Sequence, residues 1–174
     1  GGVTSVNTTL ANSGVDALTM VVNVADATMT QAELQDLTAL DGKTSVAIDA
    51  SAVTSVTGTH AELMSLYAAG EAGTITGLGN EAITANDAGI TVSQANDLAS
   101  KTTGAVTATL SNTALADYST LEGTGNAYAI QINDSAIDAD ALQALNAKTT
   151  ANIDLTNDTS ISGTLANVNA IVAE

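Results

Sequence analysis

The sequence predicts an α/β fold built as a repeat solenoid, with a parallel sheet on one side and short helices on the other. Three observations predict it. First, the chain copies itself. Residues 127–150, moved back 47 positions, land on related text, and Ala129, Ile130, Asn133, Asp134, Ile137, Leu145 and Lys148 fall on Ala82, Ile83, Asn86, Asp87, Ile90, Leu98 and Lys101 without a gap. Self-similarity at a fixed shift marks an array whose members bury their apolar faces on one another. Second, short runs alternate apolar with small polar residues and precede helical patterns. Third, apolar residues make up 45% of the 174, yet Phe and Trp are absent and Tyr occurs three times. A core of Ala, Val, Ile and Leu suits thin stacked coils, because each coil packs only on its neighbours.

In chain order, residues 4–12 match residues 159–167, and their first half also matches residues 54–62. That text is the back half of a repeat, so residues 1–18 read as a truncated repeat. The Gly-Gly start reads as a tag scar on an excised fragment whose parent is expected to continue upstream. Three fuller repeat units follow at 19–73, 74–126 and 127–174, all within one continuous solenoid. Each holds two strand–helix pairs.

The strands rest on alternation. Met20, Val22 and Val24 oppose Val21 and Asn23. Val46 and Ile48 oppose Ala47 and Asp49. Ile83 marks a weaker strand over 81–85. Val106, Ala108 and Leu110 oppose Thr107 and Thr109; Tyr128, Ile130 and Ile132 oppose Ala129 and Gln131; Ile153 and Leu155 oppose Asn152 and Asp154.

The helices rest on caps and spacing. Thr30 with Glu33, and Thr59 with Glu62, form capping boxes in which each end satisfies the other's free amide. Leu34, Leu37 and Leu40 follow the first box at helical spacing, and Leu63, Leu66 and Tyr67 follow the second. Leu142 with Leu145, then Leu165, Val168 and Ile171, repeat the pattern. Asp138 caps a helix over 140–147. Lys43-Thr44, Lys101-Thr102 and Lys148-Thr149 each end the first helix of a repeat unit, where the last turn favours a cation.

Strand then helix, recurring roughly every 22–35 residues, calls for parallel strands joined by right-handed crossovers. A doubly wound sheet would make its strands apolar throughout. These strands alternate, which favours helices on one face only. Polar pairs just past the strands, Ala25-Asp26, Asn86-Asp87, Asn133-Asp134 and Asn157-Asp158, are placed to bond the turns of adjacent coils.

Three Lys, no Arg and 19 acidic residues give a net charge of −16. Such a chain repels phosphate backbones and anionic lipid, which argues against nucleic acid as a partner. No run of about 18 apolar residues suits a membrane span, so direct membrane insertion is not expected. Cys is absent, so a disulfide framework or thiolate zinc site has no ligands.

The same charge attracts divalent cations, which makes calcium the first chemical alternative. The candidates are Asp87, Asp134, Asp138, Asp140 and Asp158. Each has a bland reading beside it, as a turn or helix-cap residue. Gly77-Leu78-Gly79-Asn80-Glu81 approaches a GGxGxD calcium nonapeptide but lacks its Asp, and no DxDxDG loop occurs. His60 stands one residue into a capping box and reads as a solvated surface residue. No nucleophile–base–orienter set emerges, so catalysis is not expected. Ice or polysaccharide binding would need regular Thr ranks or aromatic platforms. The outward positions Thr107, Thr109, Ala47, Ala129 and Asn152 are broken by Gln131, Asp49 and Asp154.

Three phrases carry a resemblance: QANDLASKTT at 94–103, VAIDAS at 46–51 and TGTHAE at 57–62. They resemble the Ala/Thr/Asp-rich repeats of giant secreted or cell-surface proteins of marine cyanobacteria and other aquatic bacteria. The resemblance implies an extracellular or cell-surface structural repeat, a spacer or coat, with no catalytic residues or cofactor. Its partners would be neighbouring repeats of the same parent chain, with end-to-end self-association as a further expectation. Leucine-rich repeats are an analogue in shape alone. The alternative is a calcium-dependent adhesin or ligand-binding segment. That alternative predicts that millimolar calcium raises the melting temperature well beyond equal magnesium; identical melting curves in calcium and chelator would remove it.

Overall fold

The computed structural model describes residues 2–13, 22–157 and 160–172; the expected strand residue Met20 and the candidate Asp158 lie outside them. The chain divides into two compact units, one of Gly1–Asn86 with Ser100–Gly104, the other of Asp87–Ala99 with Ala105–Glu174. The fold is α/β, and every described strand pair is parallel.

The first unit runs α1 (Val3–Ser13), β1 (Val22–Asn23), β2 (Thr28–Met29), α2 (Gln31–Asp41), β3 (Ile48–Asp49), β4 (Ser55–Gly58), α3 (His60–Ala72), β5 (Ile75–Thr76) and β6 (Ala82–Ala85). Each turn of chain lays down two short strands before its helix. The strands sort into two sets, β1-β3-β5 and β2-β4-β6. Ile48 lies between Val22 and Ile75, and Val56 between Met29 and Ile83, so each residue meets the one 26 or 27 positions on. A parallel pair needs a crossover of a dozen residues or more, and the helices supply it.

Both expected capping boxes are present, at Thr30 with Glu33 and at Thr59 with Glu62. They fix where α2 and α3 begin, and so which leucines turn inward. Leu34, Leu37, Leu40, Leu63 and Leu66 are all 1% exposed or less, as are Met29, Ile48, Ile75 and Ile83 from the strands. Each such side chain contributes about 1.5–3 kcal/mol through burial.

The second unit runs α4 (Val92–Ala99), β7 (Val106–Thr109), a 3-10 helix (Leu115–Thr120), β8 (Ala127–Gln131), β9 (Ile137–Asp138), α5 (Ala139–Asn146), β10 (Ile153–Asp154), β11 (Ile161–Ser162) and α6 (Leu165–Val172). Strands β7-β8-β10 pair in that order, and β9 pairs with β11. Partners here are nearer in sequence: Ala108 with Tyr128, Ile130 with Ile153, Ile137 with Ile161. The coil between β7 and β8 is short because a six-residue 3-10 helix replaces the usual α-helix.

The alternation expected from sequence holds over 81–85, 106–110 and 127–132, while Val46 and Ala47, expected on opposite faces, are both half-buried. Val106, Ala108, Tyr128 and Ile130 are buried, while Thr107, Thr109, Ala129 and Gln131 are exposed. Ile83 is buried between exposed Ala82 and Thr84. Strands β2, β5, β9 and β11 are two residues each. A strand of two residues shows no period of its own; these four, and the four-residue β4, are strands that the alternation does not predict, whereas β6 matches the weak strand expected over 81–85. Ala47 and Asp49, expected on the same open face as Thr107, sit beside or within β3, a member of the other strand set.

Residues 4–12 match 159–167 in text but not in form. Residues 161–162 are strand β11 and end at Gly163, whereas 3–13 is one continuous helix. Gly58 and Gly163 explain the difference. A Cβ on Gly58 would come 2.7 Å from Leu34 Cδ2, and one on Gly163 would come 2.7 Å from Ala139 Cβ. Both glycines let a strand end pass close to the start of the preceding helix. Thr8 stands at the matching place, and no described helix precedes it to be approached.

The lysines also sit slightly differently from expectation. They lie just beyond the helices and not in the last turn. Lys43 N–H donates to Leu40 O at 2.9 Å and Lys148 N–H to Leu145 O at 2.8 Å. The preceding residues Gly42 and Ala147 share near-identical helical angles, φ −65, ψ −12 and φ −67, ψ −12.

Gly104 is the tightest backbone approach in the first unit: an added Cβ would fall inside contact distance of the Glu81 carbonyl. Gly73 has φ 77 and open space around it. Gly104→Ala is therefore expected to destabilise by about 2 kcal/mol or more, against about 1 kcal/mol for Gly73→Ala. Chemical denaturation of both variants checks the order, and equal losses would contradict the packing argument.

Candidate functional site

The polar residues that sequence alone offers for chemistry are mostly spent on joining one coil to the next. The threonine after each helix-ending lysine shows this best. Thr44, Thr102 and Thr149 each accept the amide two residues on, from Val46 at 3.0 Å, Gly104 at 2.9 Å and Ala151 at 3.1 Å. The same hydroxyls donate to Val46 O at 3.0 Å, Glu81 O at 2.6 Å and Tyr128 O at 2.9 Å. The last two reach back 21 residues to the preceding coil, and Tyr128 N–H returns a bond to Thr149 Oγ1 at 2.9 Å. A hydroxyl serves because it donates and accepts at once.

Carboxylates do the same work at the helix starts. Glu62 closes its own capping box through Thr59, and also accepts Gln31 Nε2 at 2.7 Å and Gln35 Nε2 at 2.6 Å from α2. The Gln35 bond, then those from Thr59, draw its carboxyl down to about 2. Gln31 in turn accepts Asn86 Nδ2 at 2.8 Å. Asp36 on α2 accepts Thr4 Oγ1 at 2.6 Å and Asn7 Nδ2 at 2.9 Å from α1, and these bonds hold its carboxyl below the usual range. Lys43 Nζ donates to the other end of the same amide, Asn7 Oδ1, at 3.2 Å.

The calcium candidates have protein donors. Asp134 Oδ2 accepts Leu115 N–H at 2.8 Å. Asp138 is the N-cap of α5 and accepts the amides of Asp140 and Ala141 at 2.9 and 3.0 Å. Asp140 accepts Asn167 Nδ2 from α6. Asp87 is half-buried. Among the described residues no three His, Cys, Asp or Glu side chains converge as a metal centre. The cross-coil bonding expected of the polar turns is present at Asp134 and at Asp26, which accepts Val3 N–H at 2.8 Å, and Asn157 Nδ2 donates to Asn133 Oδ1 at 2.8 Å. Asp154, expected as an outward sheet position, is exposed on β10, and Asp49 is half-buried on β3; both also close Asx-turns, on Thr156 N–H at 2.9 Å and Ser51 N–H at 3.0 Å. His60, expected as solvated, is half-buried at the first position of α3.

Sequence reasoning passed over Glu81, which among the described residues is the one fully buried carboxylate. Its oxygens accept the Tyr67 hydroxyl and the amides of Gly79 and Asn80, the latter two at 2.8 and 3.0 Å. Burial, and then Glu81 itself, raise the Tyr67 hydroxyl far above its ordinary value. The Gly77-Leu78-Gly79-Asn80-Glu81 text is thus a carboxylate plug that folds its own loop, with the glycines supplying φ 85 and φ 119. Beside it lies an open cleft of about 450 Å³. Its titratable lining is Tyr67, Glu71 and Lys101, and Lys101 Nζ pairs with Glu71 Oε1 at 2.5 Å. A glycine-rich loop closed by its own acid gave no signal distinguishable from a turn.

No protein-family model, curated protein or solved structure matches the chain.

Two buried tyrosines make opposite predictions. The Tyr128 hydroxyl is buried, meets no hydrogen-bond partner among the described residues, and is pushed up to about 12 by that burial. Tyr128→Phe is expected to leave stability unchanged or raise it by about 1 kcal/mol, since an unsatisfied buried group is removed. Tyr67→Phe strands part of the Glu81 carboxylate and is expected to destabilise by about 2 kcal/mol. Urea melts of the two variants test this, and a loss at Tyr128 matching that at Tyr67 would contradict it.

Proposed function

We propose that this chain is a structural repeat segment, a spacer or coat element, of a large extracellular or cell-surface protein, with its coils continuing as one solenoid. The carrying observation is the threonine clasp. The same Lys-Thr helix exit recurs three times, and at Thr102 and Thr149 its hydroxyl ties a coil to the one before. A segment selected for stacking gains from a bond of this kind repeated along the chain; a segment selected for catalysis needs convergent chemistry at one place.

Further support comes from the charge. Nineteen acidic residues against three lysines keep such an array soluble and hold it off other acidic surfaces. Neighbouring repeats are the natural partners, because the clasp is a contact between like coils. Among the described residues no helix is long and apolar enough to cross a membrane. Catalysis plays no part in this reading.

A head-to-tail duplication of residues 1–174 tests it. In small-angle scattering the maximum dimension of the tandem chain should be close to twice that of the single copy, as a stacked spacer requires. A tandem chain that scatters as two freely jointed globules, or as one compact body, would overturn the reading.

A further inference from the structure

Lys43, Asn7 and Asp36 form a group that stacking alone does not call for. Asn7 stands on α1, one turn after Thr4, and its side-chain amide is held at both ends. Lys43 Nζ lies 3.2 Å from Oδ1, and Asp36 Oδ1 lies 2.9 Å from Nδ2. An amine, a primary amide and a carboxylate thus meet in sequence, drawn from α1, α2 and the residue pair beyond α2. All three side chains are half-buried. In a chain with no cysteine, these are the groups from which a covalent staple can be made.

We propose that Lys43 and Asn7 join as an intramolecular isopeptide bond, with Asp36 as the proton carrier. The Lys43 ammonium first loses one proton to water. The neutral Nζ then attacks Asn7 Cγ, one bond beyond the oxygen it already touches, and the carbonyl electron pair moves onto Oδ1. A proton leaves the attacking nitrogen and is delivered to Nδ2 through the Asp36 carboxylate. After attack both nitrogens sit on one carbon, and Asp36 already accepts from the one that leaves, Nδ2, at 2.9 Å. The carbonyl re-forms, the Cγ–Nδ2 bond breaks, and ammonia departs and takes up the first proton. No oxidant or cofactor enters.

Unassisted amide aminolysis is slow. Holding a nucleophile against its target in an aligned geometry supplies an effective molarity of about 10⁵–10⁸ M, and the bond from Nζ to Oδ1 at 3.2 Å keeps the amine beside the carbon it is to attack. Asp36 stays in its base form because Thr4 and Asn7 hold its carboxyl low. The product would tie α1 to the exit of α2. The proposal stands on this triad alone, and neither needs the spacer reading nor falls with it.

Intact-mass spectrometry of the purified 174-residue protein decides it. The expected mass is below the sequence mass by one ammonia. Trypsin should cut after Lys101 and Lys148 but leave Lys43 uncut, and further cleavage at Glu33 should yield a branched peptide carrying both Asn7 and Lys43. The branched peptide separates this product from an asparagine succinimide, which also loses ammonia. Lys43→Arg keeps a donor to Asn7 and should restore the full mass, as should Asp36→Asn. A wild-type protein at full sequence mass, cut by trypsin after Lys43, would overturn the proposal, as would ammonia loss without the branched peptide.

Discussion

The constraint on which the rest depends is that a parallel coil cannot close its own return turn. A hairpin satisfies its turn locally, but a helix that comes back to lie parallel to its predecessor arrives with open carbonyls and amides. At Thr102 and Thr149 one hydroxyl takes the amide two residues ahead and gives its proton to the coil behind. Asn126 does the complementary work, accepting Val106 N–H at 2.9 Å on its side chain and Thr150 N–H at 2.7 Å on its carbonyl. Asn126 and Thr149 are both nearly buried, so losing either bond would leave a polar group stranded away from water.

Close stacking of coils then dictates composition. Where the backbones approach most nearly the chain uses glycine: Gly77 against Ser51, Gly104 against Glu81. The interior is filled with leucine, isoleucine, valine and alanine, and three buried tyrosines supply its rings. Tyrosine is admitted where its ring ends near something else. Tyr67 reaches Glu81, and Tyr118 reaches the Asn112 carbonyl. Tyr128 is the exception, and its unmatched hydroxyl is the clearest fault in the packing.

Much of this was legible from text, and the reasons are local. Capping boxes at Thr30 and Thr59 announce helix starts because their chemistry spans only four residues. Alternation at 106–109 and 127–131 announces strands because each run is four residues or longer. Strands β2, β5, β9 and β11 carried no readable period, since their existence depends on a partner some 24–27 residues away. The helix over 3–13 was hidden by a textual match in which one glycine had become Thr8. Glu81 was hidden because burial of a carboxylate is decided by Tyr67, fourteen residues earlier on α3. Local rules find caps, and long-range contacts decide which acid is buried.

The acidity of the chain takes on a structural meaning. With three cations for nineteen acids, charge pairing cannot be what the carboxylates are for. Asp26, Asp36, Asp49, Asp134, Asp138, Asp154, Glu33, Glu62 and Glu81 all accept bonds from protein donors, most of them amides. A carboxylate offers several lone pairs and needs no proton of its own, so it suits a fold rich in open helix starts and turns. Those bonds lower the carboxyls of Asp36, Asp49, Asp154 and Glu62. A depressed folded-state value means the stabilisation is present above the unfolded value and is lost as the pH falls through the folded one. The stabilisation that these four carboxylates supply is therefore complete at neutral pH and fades only in acid, as the pH falls through their lowered folded values. A divalent cation arriving at Asp134, Asp138 or Asp140 would have to share or displace a bond that already holds a turn or a helix end in place.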